Sequence, residues 1–290
     1  MIYALISDIH SNIHALEKVF SILEGQNIDQ IVCLGDFVGY NANPVECIKA
    51  VQSHPKITHM VKGNHDEDAC GFEHMRFSQI RELSKDAYDG LKYSSSLLNE
   101  EQRDWLTVLP EDKLIENNEL PFWISHRSPN HCTTYGYILS ENDARASLNV
   151  LRKYKKGSNL FFFGHSHIPT FAMEESGNIV FDIGRYLENN TYVIEPDNYY
   201  LINPGSIGQP RLNGITSYAI LDTEERTVSI KGFEYDFKDA QKAVLDAEYS
   251  ITIANRLDQT YDEKKDKKKD KKERCKRRQR ARDIQKKKQA

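Results

Sequence analysis

Apolar and polar positions alternate between two textures over the first sixty residues. Residues 2–7, IYALIS, form an unbroken apolar run, the texture of a strand buried on both faces. Ile13, Leu16, Val19, Phe20 and Leu23 then recur at helical spacing, and Gly25 offers a stop. QIVCLG (30–35) predicts a second buried strand. PVECIKAVQS (44–53) predicts a helix with Pro44 in its first turn. ITHMVKG (57–63) predicts a third strand. A β-α-β-α-β order calls for a mostly parallel sheet covered by helices.

Residues 88–109 are largely helical in pattern. PFWISH (121–126) and NLFFFGH (159–165) predict two further buried strands. From residue 170 to 232 the texture changes. Short runs such as GNIVFDIG, YYLINPG, ITSYAILD and TVSIKGFEY lie between turn residues, which predicts a second, mainly antiparallel sheet. KDAQKAVLDAEYSITIANRL (238–257) predicts one last helix, and no internal repeat is visible. The chain therefore divides into a domain over 1–238, a C-terminal helix over 239–260 and a Lys/Arg-rich tail over 261–290.

Composition adds an asymmetry. The 290 residues are 39% hydrophobic, enough for one large domain with an appendage. The net charge of −4 conceals a tail with 16 Lys and Arg against 6 Asp and Glu. The body is correspondingly acidic. Such a tail is either a solvated extension or an arm that meets nucleic acid or the ribosome through phosphate contacts. It holds no aromatic residue beyond Tyr261, so base stacking is not expected. The five cysteines (Cys33, Cys47, Cys70, Cys132 and Cys275) are odd in number and form no CxxC pair, which fits reduced thiols. The N-terminus lacks a basic signal region, and no apolar run approaches the roughly 18 residues of a membrane span. A soluble cytoplasmic protein with no membrane contact is expected.

Five polar clusters stand at or just after predicted strand ends. They are Asp8-Ile9-His10, Gly35-Asp36, Gly63-Asn64-His65-Asp66, His126 and Gly164-His165-Ser166-His167. The carboxyl ends of strands in an open α/β sheet share a crevice, so distant segments can converge there. Each cluster is weak alone; a Gly-Asp after a strand is usually a turn, and a lone strand-end histidine is usually satisfied by its neighbours. Together they make a mixed oxygen and nitrogen donor set. That set suits Mn, Fe, Zn or Co better than Ca or Mg alone.

These clusters, with CLGDFVGYNANPVECIKAV, VKGNHD, FFGHSHIP and INPGSIGQPR, resemble the calcineurin-like metallophosphoesterases, close to the small bacterial and archaeal phosphodiesterases. The resemblance covers residues 1–238. It implies a four-layer α/β/β/α sandwich of two mixed sheets with the site at the sheet edges. It implies that Asp8, His10 and His167 hold a first metal, that Asn64, His126 and His165 hold a second, and that Asp36 bridges them. His65 would face the substrate phosphate as acid or stabiliser, with Asp66 orienting its ring and raising its pKa. The cofactors implied are two divalent ions, Mn2+ foremost, with Fe, Zn, Ni, Co and Mg as alternatives.

The activity implied is hydrolysis of phosphate diesters of small molecules or nucleotides, with a water between the metals as nucleophile. The alternatives are a phosphomonoesterase or phosphoprotein phosphatase, and a non-catalytic nucleic-acid-associated protein acting through the tail. One departure is visible. The family commonly has His-Gly-Ser-Pro where this chain has His126-Arg127-Ser128-Pro129. Arg127 is either solvated beside an adjusted loop or a phosphate contact. The stretch from Asn203 to Arg211 either braces the ligand loops or walls the pocket, with Arg211 meeting phosphate. Tyr40 and Asn12 stand behind the ligands or line the substrate site. His14, His54, His59, His74 and His131 lie outside the clusters and are read as ordinary.

Overall fold

The computed structural model describes residues 1–130, 136–154, 156–184, 191–211, 215–248 and 250–258. The expectations about the tail and His131 fall outside them. The first half follows the predicted alternation: β1 (Ile2–Ile6), α1 (Ile13–Glu24), β2 (Gln30–Cys33), α2 (Pro44–Ser53) and β3 (Ile57–Met60). Asn12 caps α1, its Oδ1 accepting the Ala15 N–H at 3.1 Å, while its Nδ2 donates to Tyr235 Oη at 2.8 Å. That makes Asn12 a structural residue.

Next come α3 (Asn64–Cys70), a short 3-10 turn, α4 (Phe77–Glu82), α5 (Lys85–Leu97) and α6 (Glu100–Val108). The helical stretch predicted over 88–109 is thus two helices. Asn99 separates them by capping α6, accepting the Gln102 N–H at 2.9 Å. Then follow β4 (Asp112–Ile115), β5 (Phe122–Ser125), α7 (Glu141–Tyr154) and β6 (Leu160–Phe162). The remaining strands are β7 (Thr170–Glu175), β8 (Asn178–Ile183), β9 (Thr191–Val193), β10 (Tyr199–Asn203), β11 (Thr216–Asp222) and β12 (Thr227–Phe233). The final segment, expected as one helix, is two: α8 (Phe237–Asp246) and α9 (Ile251–Arg256). Between them Glu248 takes a φ of 56°, outside helical space.

Two six-stranded sheets result, ordered β3-β2-β1-β11-β12-β9 and β4-β5-β6-β10-β7-β8. The late strands do not make a sheet of their own, contrary to the expectation. β11 pairs antiparallel with β1, Ile2 opposite Asp222, while β10 lies parallel to β6 and antiparallel to β7. Both sheets are therefore mixed.

Side-chain alternation sorts the layers. Tyr3 and Leu5 point between the sheets, where they meet Phe122, Phe162, Tyr200 and Leu221. Ala4 and Ile6 point outward onto Leu16 and Val19 of α1 and Ile48 of α2. On the outer face of the second sheet, Leu148 and Leu151 of α7 cover Phe161 and Leu201. The four layers are helix, sheet, sheet, helix. In this arrangement β1, β2 and β3 run parallel, as do β5, β6 and β10, so each sheet presents a set of carboxyl ends from which the polar loops emerge.

Candidate metal centre

The loops after β1 and β2 are tied together. The N–H groups of Asp8, His10 and Ser11 donate to the carbonyls of Gly35, Asp36 and Phe37 at 3.1, 2.9 and 2.9 Å. This pairing sets Asp8, His10 and Asp36 side by side. Gly164 and Gly63 then allow the other loops to close in. A Cβ on Gly63 would fall 2.0 Å from Asp36 Oδ1. Its φ of −105° is ordinary, so the glycine is required by closeness and not by the turn.

Two groups of donors result. One contains Asp8, His10, Asp36 and His167; the other contains Asp36, His126 and His165; in each, the ligand atoms lie within 4.8 Å of one another. Asp36 is common to both. Each carboxylate has one oxygen engaged by the protein and one free. Asp8 Oδ2 accepts from Ser7 Oγ at 2.7 Å and from His165 N at 3.1 Å, and Asp36 Oδ1 accepts from His65 N at 2.8 Å. The histidines are oriented in the same way. Nδ1 of His10, His126 and His167 lies 3.1, 2.8 and 2.7 Å from the carbonyls of Val38, Leu34 and Gln209. An Nδ1–H donated there leaves each Nε2 lone pair facing inward.

The inward atoms crowd. His10 Nε2 is 3.0 Å from His167 Nε2, and Asp36 Oδ2 is 3.1 Å from His126 Nε2. Asp8 Oδ1 and Asn64 Oδ1 are buried without hydrogen-bond partners, and Asp36 Oδ2 and His126 Nε2 have only one another. One orphaned buried polar atom costs about 1–3 kcal/mol. Several lone pairs aimed at common points make sense as a cradle for cations, and the donor chemistry fits divalent ions. The backbone tells the same story. Asp8, His10, Asp36, His165 and His167 all have φ between 46° and 68°, the left-handed region that non-glycine residues avoid. Strain of this kind persists where the surroundings over-determine it.

The charges are strongly coupled. Burial opposes ionisation of Asp36, but the imidazoles of His126 and His65 outweigh it and hold the carboxyl well below its usual range. Burial likewise opposes charging of His126, yet the Asp36 carboxylate pulls it up to about 9. Burial pushes His165 and His167 well down, the second influence being His126 on the former and Arg211 on the latter.

His65 and Asp66 depart from expectation. Asp66 does not touch the His65 ring. Its carboxylate accepts the N–H groups of Asp36, Phe37, Val38 and Gly63 at 2.9, 2.8, 3.2 and 2.8 Å. As the third residue of α3 it points back over the helix start. Asp66 is therefore the anchor of the Asp36 loop, not the partner of His65. Nor is His65 raised: burial takes it down to about 3. Its ring packs instead against Tyr40 and His10, centroids 4.7 and 4.8 Å away.

The remaining candidates sort as follows. Tyr40 is buried at the joint between the centre and α8 and α9, in one cluster with Val244 and Ile253. Asn203 and Ser206 brace the ligand loops: Asn203 Nδ2 donates to Gly164 O at 2.6 Å and Ser206 Oγ to Asp8 O at 2.9 Å. Arg211 donates its backbone N–H to His167 O at 3.2 Å, and its guanidinium lies 6.0 Å from the Tyr137 ring. Arg127 is exposed and has no left-handed φ, so the chain needs no glycine there. It lines a cavity of about 200 Å³ together with Lys62, Asn64, Glu67 and His126. Tyr137 was not foreseen. It stacks on His165 at 4.6 Å with 27° between the planes, and nothing in its surrounding sequence marks that contact.

Comparison with known proteins agrees with this geometry. An uncharacterized protein of Methanocaldococcus jannaschii is 33% identical over 246 residues, 83% of this chain and 91% of its own. The crystal structure of a metallophosphoesterase from Sphaerobacter thermophilus superposes with a TM-score of 0.70 at 27% identity, covering 89% of this chain and 98% of that one. A hypothetical protein from Pyrococcus horikoshii shares the fold at 21% identity, with a TM-score of 0.69 and coverage of 88% and 97%. No helix among the described residues is long and apolar enough to cross a membrane. The model of the calcineurin-like phosphoesterase superfamily domain matches residues 1–226, and with its paired Asp/His cradles the chain belongs to that superfamily.

Proposed function

We propose that this chain is a dinuclear metal-dependent phosphodiesterase. The observation that carries the reading is Asp36, one carboxylate common to two donor groups. Asp8, His10 and His167 complete one cradle, and His126, His165 and Asn64 the other. Mn2+ is the first candidate, with Fe, Zn, Ni, Co and Mg as alternatives. Two such ions, when bound, activate a water near neutral pH and draw charge from the phosphoryl oxygens.

The chain's own residues do the rest. The carbonyls of Val38, Leu34 and Gln209 orient the rings of three ligand histidines, each through its Nδ1. His65 is held neutral by burial, so it acts as a hydrogen-bond donor to a phosphoryl or leaving oxygen. In that role it needs a proton on one nitrogen only. Arg211, beside His167, meets the developing negative charge as a fixed cation. Arg211 is the one guanidinium beside His167, little compensation there for the second charge of a monoester dianion, which favours diesters.

Metal analysis and turnover should be measured on the same sample, with bis-aryl and mono-aryl phosphates and with Mn, Ni, Zn and Mg. Two metals per chain and faster diester cleavage are expected, with Asp36→Asn losing both. A loaded chain that cleaves neither ester, or an Asp36→Asn variant equal to the parent, would sink the reading.

A further inference from the structure

The cavity beside Asn64 and His126 opens against the second cradle, two of whose proposed donors stand in its wall. At about 200 Å³ it is smaller than the roughly 300–1,000 Å³ that encloses a whole drug-sized ligand. It has room for a portion of a substrate whose reacting group sits at the metal cradles. Its walls come from Lys62, Gly63 and Asn64 ahead of α3 and from His126 and Arg127 after β5.

Two cations face this space. Lys62 is committed, its Nζ 3.0 Å from Glu67. Arg127 is exposed and makes no ion pair among the described residues. Its stem is nonetheless fixed. Gly136 has a φ of +87°, and a Cβ there would lie 2.8 Å from Arg127 Cβ, 3.1 Å from Arg127 Cγ and 3.3 Å from His165 Cδ2. Only glycine lets this backbone close over the arginine, and the Ser128 N–H ties it down through Gly136 O at 3.4 Å. The chain thus roots a guanidinium beside His165, on the Asn64 and His126 side. Arg211 adjoins the centre separately, through His167 and Tyr137.

We propose that this cavity is a second anion site, in which Arg127 receives a phosphate removed from the scissile one. The preferred substrates would then be nucleotide-type esters that carry two phosphates. This inference rests on the phosphoester reading above and names its substrate class. A guanidinium fits phosphate through two parallel hydrogen bonds. Glu111 and Asp112 stand exposed on the same wall and oppose a larger polyanion.

The test is calorimetric binding of thymidine 3′,5′-bisphosphate, thymidine 5′-monophosphate and thymidine 3′-monophosphate to the full, metal-loaded chain. The parent is expected to favour the bisphosphate over either monophosphate by about tenfold or more, the worth of one charge-assisted contact. In Arg127→Gly that ratio should fall to about twofold or less, and Arg127→Lys should retain part of it, keeping charge but losing the fork. An Arg127→Gly chain that keeps the parent's ratio, or a parent with no preference, overturns the proposal. Binding needs no turnover. A chain that cleaves no ester yet shows the Arg127-dependent ratio loses the catalytic reading and keeps the anion site, and the opposite outcome does the reverse.

Discussion

Asp66 accepts the backbone N–H of Asp36 at 2.9 Å, so one buried carboxylate holds in place the loop that carries another. Three more N–H groups, of Phe37, Val38 and Gly63, end on the same side chain. Asp66→Ala strands four buried donors. At about 1–3 kcal/mol for each unpaired group, a loss of at least about 4 kcal/mol is expected. Urea unfolding of the metal-free protein measures it. A midpoint unchanged from the parent would show that the loop holds itself.

Asn64 and His65 are adjacent and should fail differently. Asn64 Oδ1 is buried without a partner, and as the proposed third donor beside His126 and His165 its removal in Asn64→Ala should lower metal content towards one ion per chain. His65 is absent from both donor groups. His65→Ala should keep both ions and lose turnover by about 10²-fold or more, in the range of a single oxyanion donor. Equal metal loss in the two variants would contradict this division.

Gly63→Ala is the smallest change with a large expected effect. The added Cβ would lie 2.0 Å from Asp36 Oδ1 and 2.5 Å from Asp36 N. Asp36 must move, and with it the group shared by the two cradles. Metal content should drop for both ions together. Normal metal content and turnover would show that the loops yield without cost.

His59 lies outside the centre and gives a pH test. Burial first, then Lys113 with its Nζ 3.2 Å from Nδ1, lowers its pKa below 6.5. The unfolded chain therefore takes the proton first as pH falls. The stability that neutral His59 contributes is complete above 6.5 and is lost as pH drops through the folded value. An NMR titration should place its midpoint below 6.5, and Lys113→Ala should move it upward. A parent midpoint at or above 6.5 would refute the assignment.

The reading of the Lys/Arg-rich tail as a nucleic-acid arm predicts salt-sensitive binding, where a solvated extension predicts none. The full chain should bind single-stranded RNA at low salt, with log K falling linearly as log salt rises. A chain ending at Asp258 should lose that binding. Equal affinity of the two forms at low salt would remove the tail from any role with nucleic acid.

The strands and the donors were legible because most of the polar clusters follow an apolar run of strand length; β3, with Thr58 and His59 and no buried residue, is the exception. Asp8, Asp36 and His165 stand directly after such runs. Pairing was less legible. A hairpin-like texture tells a strand that it has neighbours, but β10 takes β6 as a partner and β11 takes β1, choices made by the fold of the whole. Asp66 was misread for a local reason. It follows His65 in sequence, yet on a helix successive residues point about 100° apart, and the third position faces the free N–H groups of the helix start. Tyr137 left no trace because a stack on His165 is made across a loop, with no period to announce it.

The pairing of β1 with β11 also sets a timetable for synthesis. Ile2 waits for Asp222 before its strand is closed on that side. At about 5–20 residues per second, the partner leaves the ribosome some tens of seconds after β1 does. Throughout that interval the apolar first strand is an open edge, able to accept whatever strand comes near. Nascent chains halted before residue 216 should therefore be the species most dependent on chaperones.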